Sequence, residues 1–255
     1  MHLNLPVEHL QRYKSPAQRA RVSTEAWAAA NLFCPNCDSP RLEAAAANTP
    51  ALDYVCPRCE APFQLKSQSR PFSSRITDAA YDTMCRAIRE DRTPNLFALH
   101  YELLAWRVQD LVLVPWFAFS LSVLEKRKPL GPRARRAGWV GCNFLLANIP
   151  FDARIPVVLD SIPISPAEVR RRYAWLRPLA GLSVEKRGWT LDVLNLIRSL
   201  RKMDFTLSEL YGREADLARL HPANRHVRDK IRQQLQVLRD LGYLEFHGGG
   251  SYSLL

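Results

Sequence analysis

The spacing of apolar positions divides the chain into two textures. Residues 8–31 are rich in helix formers interrupted at Pro16, and Ser23 or Thr24 offers a second helix start, which predicts two short helices. Between Cys34 and Lys66 the segments are short; "LDYV" and "FQLK" read as strands flanking a turn, a hairpin-like region. "SRITDAAYDTMCRAIRED" (74–91) predicts a helix, whereas "NLFALHYELL", "LVLVPWFAFS" and "ARIPVVLD" carry the branched and aromatic mix of buried strands. The prolines, glycines and cations of "EKRKPLGPRARRAGW" predict a loop. From "LSVEKRG" (182–188) onward the period becomes helical. Leu191, Val193, Leu194, Ile197 and Leu200 mark a first helix. Thr206 and Glu209 form a capping box for a second, and Val227, Ile231, Leu235, Leu238 and Leu241 share one face of a third. A final alternation around Gly248, Gly249 and Gly250 predicts a hairpin. Three helices followed by a hairpin outline a winged helix, whose third helix enters the DNA major groove.

The reading is therefore an α/β (α+β) chain in two parts. A mixed sheet with helices fills residues 1–182, and a winged helix fills residues 183–255. A length of 255 residues suits two domains, each with its own core. No apolar run approaches the roughly 20 residues of a membrane-spanning helix, and the first residues lack the pattern of a secretion signal. The expected location is cytoplasmic. The formal net charge of +11 favours a polyanionic partner, with nucleic acid the first candidate.

Four of the six cysteines form two C-P-x-C pairs, Cys34/Cys37 and Cys56/Cys59, separated by eighteen residues. That spacing is characteristic of a four-cysteine zinc site, in which four thiolates fill a tetrahedral shell and leave no position for a substrate water. The zinc would be structural. Buried free cysteines or a redox pair are the rival readings, while Cys85 and Cys142 fit ordinary buried thiols.

Asp53 precedes the second pair, and Gln64 and Lys66 follow it at i and i+2, on one face of a strand. If the strands pair around the cysteine turn, an acid, an amide oxygen and an ammonium converge. That set suits magnesium-assisted phosphodiester hydrolysis, with Asp53 and Gln64 as ligands and Lys66 facing the attacked phosphate. It resembles the PD-(D/E)xK nuclease signature. The departure is Gln64, where the signature prefers a carboxylate; an amide oxygen coordinates magnesium without contributing charge. The bland alternative is three solvated residues beside a zinc ribbon.

The ordered strings "QRYKSPAQRARVSTEAW", "CPNC", "CPRC", "LKS", "FSSRITDAAYDTM", "RKPLGPRARRAGWVGCN" and "KIRQQLQVLRDLGYLEFHGGGSYSLL" resemble the DpnI-type restriction endonucleases nearly end to end. These enzymes cut GATC sites carrying methylated adenine. The resemblance implies a zinc-bearing PD-(D/E)xK domain joined to a winged helix, with Mg2+ catalytic and Zn2+ structural. It also implies double-stranded methylated DNA as partner, and neither a membrane nor an obligatory protein partner. Asp53, Gln64 and Lys66 fall on its catalytic positions, Cys34, Cys37, Cys56 and Cys59 on its zinc ligands, and Trp139 on the tryptophan set against methyladenine. An N6-methyl group projects into the major groove, where a flat apolar surface gains from it. Core packing is the alternative for Trp139.

Lys126, Arg127, Lys128, Arg133, Arg135 and Arg136 crowd eleven residues without an acid, a pattern for clamping phosphates or for a solvated loop. In the third tail helix, Asn224, Arg225, His226, Arg228, Lys230, Arg232, Gln233 and Gln234 mix phosphate partners with base readers, Arg232 and Gln233 being favoured for bases. The rival function is a catalytically impaired or non-catalytic zinc-ribbon and winged-helix regulator that only binds DNA.

Overall fold

The computed structural model of the chain describes all residues except 9, 47, 48, 50, 51 and 73; His9, near the head of the first expected helix, lies outside them. In chain order the elements are helix α1 (Pro16–Asn31), strands β1 (Glu43–Ala44), β2 (Tyr54–Val55), β3 (Pro62–Gln68) and β4 (Arg75–Ala80), helix α2 (Tyr81–Arg89), and strands β5 (Asn95–Glu102) and β6 (Arg107–Val114). Then come β7 (Leu124–Lys126), β8 (Gly141–Leu145), β9 (Ile155–Leu159), β10 (Ile162–Pro163) and α3 (Pro166–Leu176). The C-terminal part holds α4 (Val184–Ser199), β11 (Asp204–Thr206), α5 (Leu207–Tyr211), α6 (Glu214–Leu220), α7 (Val227–Asp240), β12 (Leu244–Gly248) and β13 (Ser251–Leu254).

A seven-stranded mixed sheet in the order β1-β2-β3-β5-β6-β9-β10 forms the scaffold. Among the described residues only β3 and β5 pair in parallel, Lys66 lying opposite Ala98. Leu96, Phe97, Ala98 and Leu99 of β5 are all buried because the strand is covered on both faces, as a continuous apolar run requires. A smaller antiparallel sheet, β4-β8-β7, lies beside it, and β11-β13-β12 forms the wing. Gly248, Gly249 and Gly250 all take positive φ at the wing tip, where a side chain would be strained.

Three local expectations change. A short 3-10 helix, Leu10–Arg12, precedes the break at Pro16, and residues 16–31 form one helix, with Pro16 at its first position, where a missing N–H costs nothing. Ser23 and Thr24 are inside it and buried; Ser23 Oγ donates to Pro6 O and Thr24 Oγ1 to Ala20 O, so neither caps a second helix. The stretch 74–91 is a strand and then a helix. Ile76 and Asp78 of β4 point inward while Arg75 and Thr77 stay exposed, a period of two, and pairing of Ile76 with Phe144 outweighs the local helix propensity. The second tail helix is split into α5 and α6, and the capping box of Thr206 and Glu209 is present at the start of α5.

Helix α4 ties the tail to the turns that connect the N-terminal strands. Arg187, 1% exposed, pairs with Asp91, donates to Leu182 O at 3.1 Å and lies over the Trp116 ring. The buried Asp192 accepts from Ser122 Oγ at 2.7 Å and meets His221 Nε2 at 2.8 Å. Asn195 donates to Ala147 O and Arg198 to Asp152 Oδ2. Among the described residues no helix is long and apolar enough to cross a membrane.

Candidate nuclease site

The cysteine turns assemble first. The four Sγ atoms of Cys34, Cys37, Cys56 and Cys59 all lie within 4.8 Å of one another, with Cys34 to Cys59 at 3.6 Å and Cys37 to Cys56 at 3.5 Å. A tetrahedron with zinc–sulfur arms of about 2.3 Å has edges near ~3.8 Å, so the donor set fits zinc. Helix α3 holds the knuckle in place, because Arg170 donates to Cys34 O at 3.0 Å and Ser39 O at 2.9 Å.

The same turn closes β2 onto β3. Cys56 N donates to Ala61 O and Asp53 N to Phe63 O, which places Asp53 beside β3, one residue ahead of β2. Asp53 Oδ2 accepts from Leu65 N at 2.8 Å, the amide between Gln64 and Lys66. Gln64 and Lys66 do share a face: Gln64 Nε2 donates to Asp78 Oδ1 at 3.3 Å, and Lys66 Nζ stands 2.7 Å from the same oxygen. Gln64 is buried, and the Asp78 side chain is wholly so. Among the described residues Asp53 Oδ1 and Gln64 Oε1 accept no hydrogen bond. Two open oxygens are hard donors suited to a magnesium ion. Asp78 was not among the sequence candidates, since its stretch reads as helix; the period-two burial of Ile76 and Asp78 is visible only in the folded chain.

Behind Asp78, burial first and then the Asp78 charge push the Cys142 thiol up to about 12. Cys142 is thus a neutral thiol, and its Sγ contacts Ala79 O.

The basic segment forms a closed ribbon, in which Arg127 N donates to Gly141 O and Leu130 N to Trp139 O. Arg127, Lys128, Arg133, Arg135 and Arg136 are exposed, and Lys126 lies over the Tyr81 ring. Trp139 is half-buried rather than part of the core. The Cζ3–Cη2 edge of its ring abuts Gly141, where an added Cβ would lie 2.7 Å from both atoms, and Arg136 sits 5.0 Å from the ring centre.

In the tail, α7 begins at Val227, so Asn224, Arg225 and His226 precede the helix; Asn224 Oδ1 accepts from His226 N in a local turn. Gln234 is 1% exposed and accepts from Thr190 Oγ1 at 2.8 Å, which removes it from the DNA-reading set. It packs between α7 and α4, beside Ile231 and Leu235. Arg232 and Gln233 are exposed, Arg232 pairing with Asp229 and Arg228 with Glu214.

A mixed sheet with a four-cysteine cluster that could hold zinc, followed by a winged helix of a kind that binds DNA, defines the class. Residues 1–181 match the Dam-replacing family, DpnI, and residues 185–253 match the Dam-replacing HTH domain. The chain belongs to the DpnI family. It is also 22% identical over 142 residues to the glutamate–tRNA ligase of Alkaliphilus metalliredigens (strain QYMF), a match covering 51% of this chain and 27% of that protein. The chain spans about a quarter of that ligase, and nothing of its chemistry is carried over.

Proposed function

We propose that the chain is a magnesium-dependent type II restriction endonuclease that hydrolyses double-stranded DNA at GATC-like sites containing N6-methyladenine. Residues 1–182 would cut and residues 183–255 would grip the duplex as a winged helix. The observation that carries the reading is Asp53, Gln64 and Lys66 gathered along one strand by the cysteine turn, with the Asp53 carboxylate seated on the Leu65 amide. Asp53 Oδ1 and Gln64 Oε1 would hold the ion, and Cys34, Cys37, Cys56 and Cys59 a structural zinc. When bound, magnesium supplies an activated water and neutralises charge developing on the phosphate. Lys66 adds a fixed positive charge beside that phosphate, where a preorganised cation acts most strongly on the transition state.

The six cations from Lys126 to Arg136 would hold the backbone, and Trp139 would meet the methyl groups. Lys230, Arg232 and Gln233 on α7, with Asn224 and His226 just ahead of it, are the tail's candidates for contact with DNA. The neutral Gln64 favours one rival, a DNA-binding regulator without cleavage. Methylated and unmethylated plasmids incubated with magnesium separate the two: wild type should linearise only the methylated one, and Asp53→Ala neither. Binding by wild type without any cutting would leave the regulator.

A further inference from the structure

We propose that Asp78 is the second carboxylate of the metal site, a positioning residue that orients Gln64 as an oxygen ligand and holds Lys66 in place. The inference rests on the nuclease reading and deepens it. Asp78 Oδ1 serves both Gln64 Nε2, at 3.3 Å, and Lys66 Nζ, at 2.7 Å. Its other oxygen, Oδ2, is buried with no hydrogen-bond partner. A carboxylate taken wholly out of water with an unmet oxygen is costly, and proteins keep such groups where something else requires them.

Two consequences follow for Gln64. An amide has a donor end and an acceptor end, and only one orientation is compatible with a facing carboxylate. With Nε2 donating to Asp78, Oε1 is turned away and left open; the flipped amide would set oxygen against oxygen. Asp78 thereby makes a residue with two unlike ends behave as an oxygen donor. The second consequence is charge. Asp53 and Lys66 cancel and Gln64 is neutral, so without Asp78 the set offers a divalent cation no net attraction. Asp78 restores a net charge of minus one, placed one residue contact behind the ligand that lacks it. A partner of this kind typically governs metal affinity by about 10- to 100-fold when removed.

The test reads Mn2+ binding to the DNA-free full chain by electron paramagnetic resonance, for wild type, Asp78→Asn, Gln64→Glu and the double variant. Asp78→Asn should weaken Mn2+ binding by at least about tenfold, with the binding of methylated duplex and the melting temperature little changed. Adding Gln64→Glu to Asp78→Asn should recover most of the affinity, because the charge returns to the set at the ligand itself. Wild-type affinity in Asp78→Asn, or strictly additive effects in the double variant, overturns the proposal. Should Asp78→Asn fail to fold, the side-chain amide protons of Gln64 in wild type remain decisive. Slow solvent exchange that persists on adding Mg2+ supports the Asp78 contact, and fast exchange refutes it. A wild type that binds Mn2+ with this coupling yet never cuts DNA would instead defeat the nuclease reading alone.

Discussion

Gly141→Ala is the smallest change that displaces Trp139 without deleting it. The added Cβ would lie 2.7 Å from Cζ3 and Cη2 of the indole, well inside the roughly 3.5–4.0 Å at which carbons pack. Gly141 itself is held by the bond from Arg127 N and by pairing with Ala80, so the rigid ring must swing instead. If that ring meets one N6-methyl per strand, each methyl contributes about 1 kcal/mol, on the scale of a buried methylene. Two methyls then give on the order of a 30-fold preference for the fully methylated duplex, and one gives about 5-fold for the hemimethylated form. Fluorescence anisotropy with the three duplexes, calcium replacing magnesium to prevent cutting, measures both ratios. Trp139→Ala should abolish the preference and Gly141→Ala should remove most of it, while affinity for unmethylated duplex stays the same because the cations from Lys126 to Arg136 are untouched. Retention of the full 30-fold ratio by both variants would refute the role of the indole.

Two further outcomes are expected. Cys56→Ser should lower zinc from one per chain by native mass spectrometry and accelerate hydrogen exchange at the Leu65 amide, whose acceptor Asp53 is placed by the cysteine turn; unchanged exchange after zinc loss would separate the knuckle from the site. Stability should fall as pH drops from about 4.5 towards 2: hydrogen bonds from Arg75 and Asn143 hold the Glu125 carboxyl at about 2, below its ordinary 4.5, and those from Arg171 and Arg172 do the same for Glu168. The unfolded chain binds the extra protons in that window, so the melting temperature decreases there, and Glu125→Gln should flatten the slope.

The clustering of the four cysteines and the seating of Asp53 beside the Gln64–Lys66 strand were legible because local spacing carries them: two C-P-x-C turns and one hairpin suffice. Asp78 was not, since its neighbours Ala79, Ala80 and Tyr81 read as the start of a helix. Its strand exists through pairing with β8, more than sixty residues away, and no local signal reports such a partner. Gln234 misled for the opposite reason. It stands three residues after Ile231 and one before Leu235, on the apolar face of α7, so its position was readable as interior although its chemistry suggested a base reader. The single helix α1 was hidden by hydroxyls that bond back to their own backbone or to the N-terminal segment instead of capping.

The lashing of α4 bears on how far apart two recognition events on DNA can be. Only Leu182 and Ser183 separate the turn ending at Gly181 from the helix, a span of at most about 11 Å even when stretched. One turn of duplex is about 34 Å long. If both parts hold DNA as proposed, the two-residue connection and the docked α4 leave little slack, so the second grip is set in a fixed position relative to the first.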